Sequence, residues 1–233
     1  HRGLEHPLTE SQGAQPGSTE RTRVRRLSDK AATDIEVLKQ VLDAGLVAHV
    51  AVHDDDGQPY VIPVAYARRG DHVLFHGSSG SRLFRTLADG QPTCLTVTLL
   101  DGMVLARSAF ESSMNYRCAM VLGVATRLSG DDELDALRVI TEHLLPGRWE
   151  EARQPTPKER AATITLSLAL TECSLKIGEG LPEDDPADLV DPVYSKIWAG
   201  TVPIRESFGE PITDHHTPAG VPVPHYIANW TRP

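Results

Sequence analysis

The chain has 233 residues, 40% hydrophobic and 24% charged, and a formal net charge of −9. That is enough for one well-buried domain, too apolar for global disorder, and it holds no uncharged apolar run near the ~20 residues of a membrane helix. The acidic balance and 5% aromatic content argue against a basic nucleic-acid face and a base-stacking platform.

Residues 1–21 are polar and rich in Gly, Gln, Ser and Pro, which predicts a flexible N-terminal tail without signal-peptide character. Residues 22–233 are expected to form a single domain with a proline-rich C-terminal extension. Arg21, Arg23, Arg25 and Arg26 read as a solvated lead-in. Thr33 and Glu36 have capping-box spacing ahead of Ile35, Leu38, Val41 and Leu42, predicting a helix over 33–44 that stops at Gly45. Alternation then predicts strands over 46–52, 60–66 and 72–76, joined by turns at Asp55-Asp56-Gly57 and Arg69-Gly70-Asp71. A short helix carries Leu83, Phe84 and Leu87, and two strands follow, Thr93 to Leu100 and Tyr116 to Leu128, with a loop through Asp101-Gly102 between them. Leu134, Leu137, Ile140 and Leu144 mark a helix over 131–145. Residues 161–177 are β-rich, Glu183, Asp184 and Asp185 read as an exposed acidic loop, and the last forty or so residues are expected to wrap the body. The order is that of a small antiparallel barrel, mainly β with flanking helices.

The most informative segment is Phe75-His76-Gly77-Ser78-Ser79-Gly80-Ser81-Arg82-Leu83-Phe84-Arg85, a strand running through small residues into a helix. Glycines admit close backbone approach, free N–H groups and serine hydroxyls favour an anion, and Arg82 adds a planar cation suited to phosphate. Arg85, nearly one turn on, is placed to point the same way. An ordinary glycine–serine loop with a surface arginine fits the same residues. His49 and His53, like His72 and His76, are four apart, but on strands that spacing spans about 13 Å and cannot hold one metal. No metal site is therefore expected. Cys94, Cys118 and Cys173 sit in apolar stretches as reduced thiols, consistent with a cytoplasmic location. Ser113-Met114-Asn115-Tyr116-Arg117-Cys118 brings polar and aromatic groups to the start of an apolar strand, either as a cleft rim or as a polar strand end.

Together, Val61-Ile62-Pro63-Val64, Leu74-Phe75-His76-Gly77-Ser78, Ser81-Arg82-Leu83 and Met114-Asn115-Tyr116-Arg117 resemble the pyridoxamine 5′-phosphate oxidase-like superfamily. The nearest branch is the flavin-nucleotide-binding, nitroimidazole-resistance-like one, and the likeness covers about residues 22–212. It implies an FMN-binding split β-barrel, a homodimer with FMN at its interface, and a small-molecule substrate. By the same resemblance Ile62, Pro63 and Val64 lie along the flavin ring, His76, Gly77 and Ser78 close over the ribityl and phosphate end, and Ser81 and Arg82 hold the phosphate. Asn115, Tyr116 and Arg117 approach FMN from the other subunit, and Trp198 borders the flavin. Leu83 stands where authentic pyridoxamine phosphate oxidases carry a further basic residue, and their arginine-rich C-terminal motif is missing, which speaks against vitamin B6 oxidation. The expected function is an FMN-dependent oxidoreductase acting on a small organic acceptor, with His76 and Tyr116 as proton donors. A flavin store or sensor without turnover, or a deazaflavin- or haem-binding relative, remains the alternative.

Overall fold

The structure, a computed structural model, describes residues 14–26 and 28–231. A two-residue β1 (Ala31–Ala32) leads into α1 (Ile35–Ala44), and β2 (Val47–His53), β3 (Pro59–Arg69) and β4 (His72–Ser78) follow as a meander. After α2 (Arg82–Ala88) come the long strands β5 (Pro92–Leu105) and β6 (Ser113–Val124) and the short β7 (Thr126–Arg127). Helices α3 (Gly130–Leu144), α4 (Arg148–Glu151) and α5 (Pro157–Ala161) precede β8 (Thr163–Ala169) and β9 (Glu172–Gly178). Beyond these lie α6 (Pro186–Val190), β10 (Gly200–Pro203) and α7 (His225–Ala228).

The strands form one antiparallel sheet in the order β1-β9-β6-β5-β2-β3-β4-β8-β7, with β10 added to β5. The sheet curls around its core without closing, so the architecture is a split barrel with flanking helices. Period-two alternation gives the sheet one apolar face, around which it curls. Ala48 and Val50 of β2, Leu95 and Val97 of β5, and Leu166 and Leu168 of β8 all point into one core. Helix α1 plugs that core with Leu38, Val41 and Leu42, a spacing that puts all three on one helical face. Its C-terminus is held by Tyr66, whose buried hydroxyl donates to the Leu42 carbonyl at 2.6 Å. Gly45 is obligatory there, since a Cβ would lie 2.5 Å from both Tyr66 Oη and Val97 Cγ1.

Strand β4 faces two ways. Val73 and Phe75 enter the barrel core, while Leu74 turns to a second cluster with Ala67, Leu128 and the α3 residues Ala136 and Ile140. Arg69 fastens α3 to β3 through Asp135 at 2.6 Å.

Several expectations need correction. The α1 cap is Asp34, whose carboxylate accepts from Glu36 N at 2.8 Å, and not Thr33. Asp101-Gly102 is a bulge inside β5 rather than a loop, because β10 pairs across it and keeps the strand extended. β6 begins at Ser113 and ends at Val124, and the chain then crosses to β8 as β7. The acidic loop is anchored: the Asp184 side chain is only 4% exposed and accepts from Arg107 N at 2.5 Å and Nη1 at 2.6 Å. Within the predicted tail, residues 1–13 lie outside the described residues. Gly17 N donates to Cys173 O at 2.8 Å, and Thr19 Oγ1 and Arg21 Nε donate to Glu172 on β9. Among the described residues no helix is long and apolar enough to cross a membrane.

Candidate functional site

β3 and β4 pair from Arg69 and His72 up to Tyr66 and Phe75, and then part. Residues 59–65 of β3 pair only with β2, and residues 76–78 of β4 only with β8. The split between them is a cleft of about 450 Å³, lined by Val52, Tyr60, Ile62, Pro63, Val64, Ala65 and His76, and by Ser81, Arg82, Leu83 and Phe84 of the α2 end. Its size and its mixture of apolar wall and a few polar groups suit a small-molecule cofactor.

The α2 end is set by packing. Phe84 is buried, its ring 6.1 Å from that of Phe75. A Cβ at Gly77 would fall 2.0 Å from the Phe84 ring, so this glycine makes room for Phe84. Ser78 Oγ accepts from Gly80 N at 3.1 Å and shapes the loop; Gly77 and Ser78 adjoin the cleft but are not among its lining residues. Ser81 caps α2 without a side-chain bond to the helix, which leaves its hydroxyl for a ligand. With seven residues α2 contributes little dipole, so attraction for an anion rests on Arg82.

Arg82 is exposed, and its guanidinium carbon sits 4.6 Å from the Tyr60 ring centroid. No carboxylate among the described residues forms an ion pair with it. The Tyr60 phenol, and after it the more distant charges of Asp54 and Asp55, hold its pKa above the ordinary value. Tyr60 is itself steadied by donating to Asp54 Oδ2 at 3.1 Å. Arg85 does not join it. Its Nη1 turns back to the carbonyls of Gly80 and Ser79 at 3.0 and 3.4 Å and closes the loop. His76 stands just past the last β3–β4 pair; its Nδ1 is buried without a protein partner, and burial pushes its pKa down.

The cleft thus gathers Ile62, Pro63, Val64, His76, Ser81 and Arg82 from the expected set. The remaining four lie elsewhere in the chain. Asn115, Tyr116 and Arg117 are on β6, three strand spacings or about 14 Å from β3. Asn115 and Arg117 line a separate cavity of about 310 Å³ beside the β5 bulge. There Arg117 makes a two-pronged contact with Asp101 at 2.9 and 2.7 Å, and Asn115 Nδ2 donates to Gly180 O at 3.0 Å. Tyr116 packs against Gly178, and Trp198 is 65% exposed and folded over Gly200. Sequence reasoning missed Tyr60, Val52 and Phe84. Alternation from Ile62 would have pointed to Tyr60, two residues earlier on the same face. The three cysteines are free, and no group of three or more His, Cys, Asp or Glu able to hold a metal occurs among the described residues.

A family model described as pyridoxamine 5′-phosphate oxidase matches residues 34–177. No curated protein matches the chain. Among solved structures, the flavocytochrome Anf3 from Azotobacter vinelandii is 41% identical, with TM-score 0.83 over 90% of this chain and 95% of that one. The FAD and haem binding protein from Mycobacterium smegmatis is 40% identical, with TM-score 0.79 over 84% and 94%. A structure described as a 5-nitroimidazole antibiotic resistance protein from Bacteroides thetaiotaomicron shares the fold at 16% identity, with TM-score 0.54 over 63% and 86%.

Proposed function

The chain belongs to the pyridoxamine 5′-phosphate oxidase family, and from that premise we propose that it is a flavin-dependent redox protein that exchanges electrons with a small organic acceptor. The observation that carries this reading is the β3/β4 cleft, which joins an apolar wall to the His76 imidazole and to Arg82, an arginine with no carboxylate in ion-pair contact among the described residues. A flavin fits these residues. Ile62, Pro63 and Val64 offer a flat edge for the ring, the His76 imidazole presents a polar group in the cleft wall, and Ser81 and Arg82 would hold the phosphate next to the ribityl chain. Bound there, the flavin supplies one- and two-electron chemistry, which the protein positions and tunes. His76 would orient the polar edge of the ring and exclude water from it. The sequence motifs resemble those of FMN proteins, while a relative 40% identical binds FAD. The Ser81–Arg82 contact serves the phosphate common to both, and we place FAD first.

A second group, haem, extends the reading. One relative is an FAD and haem binding protein and the other a flavocytochrome. In this chain His49 projects from the outer face of β2 between Pro63 and Thr96, beside Val47 and Ala51, and its imidazole makes no hydrogen bond to the described residues. An imidazole on an apolar face would serve to hold a haem iron. That same outer face exposes Val47, Val61, Leu100, Met114 and Val124, which supports burial against a second copy of the chain. In such a homodimer Asn115, Tyr116, Arg117 and Trp198 would reach the partner's cleft.

The test is the visible spectrum of the protein as purified, with mass analysis of the cofactor released by acid. Flavin absorbance with released FAD, together with a Soret band, is the expected result. Colourless protein that takes up neither FAD nor FMN would overturn the flavin reading. Light scattering at twice the chain mass would support the homodimer.

A further inference from the structure

Six buried side-chain polar atoms have no protein partner among the described residues. Three are guanidinium nitrogens of Arg69, Arg107 and Arg160, whose other nitrogens are bonded to Asp135, Asp184 and Glu133. The other three have no such relief, and they lie together: His76 Nδ1, Thr165 Oγ1 and Ser167 Oγ. His76 on β4 is directly opposite Thr165 on β8, and Ser167 is opposite Leu74. Residues 164, 166 and 168 of β8 point into the barrel core, so Thr165 and Ser167 share the other face, next to Leu74 in the layer under α3. Thr165 is 1% exposed and Ser167 3%. Buried hydroxyls in such a position are nearly always bonded, by protein or by ordered water.

The same face of β4 carries His72 at its outer end, opposite Ala169 and therefore diagonal to Ser167. Side chains directly opposite across a ladder have Cβ atoms about 5 Å apart, and diagonal ones about 7–8 Å. Successive residues on one face of a strand are about 7 Å apart. With Cβ spacings of about 5 Å for the first step and about 7–8 Å for the next two, each step in the series His76, Thr165, Ser167, His72 is short enough for a single water to bridge.

We propose that these four side chains, linked by bridging waters, form a proton path from the surface at His72 to the floor of the cleft at His76. Each hydroxyl accepts one proton as it gives up another and stays neutral. His76 takes a proton on Nδ1 and releases one from Nε2 into the cleft, so one proton crosses and no electron moves. Burial keeps both imidazoles below their ordinary pKa, in the neutral form that can accept and donate at once. Around His72 the charges are Asp71 and Arg69 on its own hairpin, Lys39 from α1 paired to Asp71 at 3.0 Å, and Asp135 from α3 paired to Arg69. His72 therefore sits among balanced charges at the solvent end. The use made of the proton rests on the flavin reading; the path itself does not.

The test is solvent exchange of the His76 ring protons, measured by NMR on histidine-labelled protein. Thr165→Val, which keeps the shape and removes only the hydroxyl, and Ser167→Ala should each slow exchange at Nδ1 at least tenfold and leave Nε2, which faces the cleft, unchanged. Thr165→Ser should restore the rate. Unchanged Nδ1 exchange in both variants would overturn the proposal. A crystal structure resolving solvent gives a second measurement that needs no variant: ordered waters bridging the three atoms support the path, and a dry layer refutes it. Failure of the flavin reading would appear separately, as a protein that binds no flavin while the exchange rates still divide as stated.

Discussion

Arg82, on the rim of the β3/β4 cleft, stacks on Tyr60 and has no carboxylate in ion-pair contact, whereas Arg117, beside the β5 bulge, gives two hydrogen bonds to Asp101. Both cavities are of ligand size, about 450 and 310 Å³. The difference lies in what each guanidinium has already found. A bidentate carboxylate takes one edge of the fork that a phosphate would use and neutralises its charge, so an anion at Arg117 must compete with Asp101. Arg82 offers its fork in a chain of net charge −9, and the local cation overcomes a repulsive overall field at short range. The lesson is that an arginine's usefulness to a ligand is decided by its partners, not by the motif around it.

Four changes would break or sharpen this contrast. The largest effect is expected from Gly77→Ala in the cleft wall, where the added methyl meets the buried Phe84 ring at 2.0 Å. Overpacking of that kind costs about 1–3 kcal/mol, measurable as a lowered urea midpoint, and flavin uptake should fall with it. Gly102→Ala is its counterpart at the bulge. There a methyl meets the Val202 carbonyl at 2.9 Å, and the short edge strand β10 can shift away. Because the contact is to backbone, the expected cost is about 1 kcal/mol, the low end for overpacking, with flavin uptake unchanged. Tyr60→Leu removes the face on which Arg82 rests and should weaken flavin binding about two- to fivefold.

The smallest effect is a pH dependence. Burial holds the folded His76 below its ordinary 6.5, so the unfolded chain binds a proton more readily. The stability contributed by neutral His76 is therefore complete above about pH 6.5 and is lost as pH falls through that value toward the folded pKa. Urea midpoints from pH 7.5 to 5 should decline, and His76→Gln should flatten part of the slope, while Arg117→Ala should leave it unaltered.

Much of the barrel was legible because alternation of apolar residues is a local signal. The turns at Gly57 and Gly70, where φ is +81° and +56°, were equally local. Features decided by distant partners were not. Asp101-Gly102 looks like a turn until β10 pairs across it, and Asp184 looks solvated until Arg107 reaches it. The site divides the same way. The Ile62 to Val64 strand, His76, Ser81 and Arg82 could be placed from motif and resemblance, since strand and loop lie close in sequence. Arg85 could not, because nothing local says that it closes on the Gly80 carbonyl instead of facing the cleft. The packing of Gly77 was not legible either, since its smallness is required by Phe84 seven residues on.

The most direct measurement is a fluorescence titration of cofactor-free protein with FAD, comparing Arg82→Ala with Arg117→Ala. Arg82→Ala removes the charged partner of the phosphate and should weaken binding roughly tenfold or more, while Arg117→Ala stays within about threefold. Equal binding by Arg82→Ala and the unaltered protein, or a larger loss in Arg117→Ala, would contradict the assignment of the cleft.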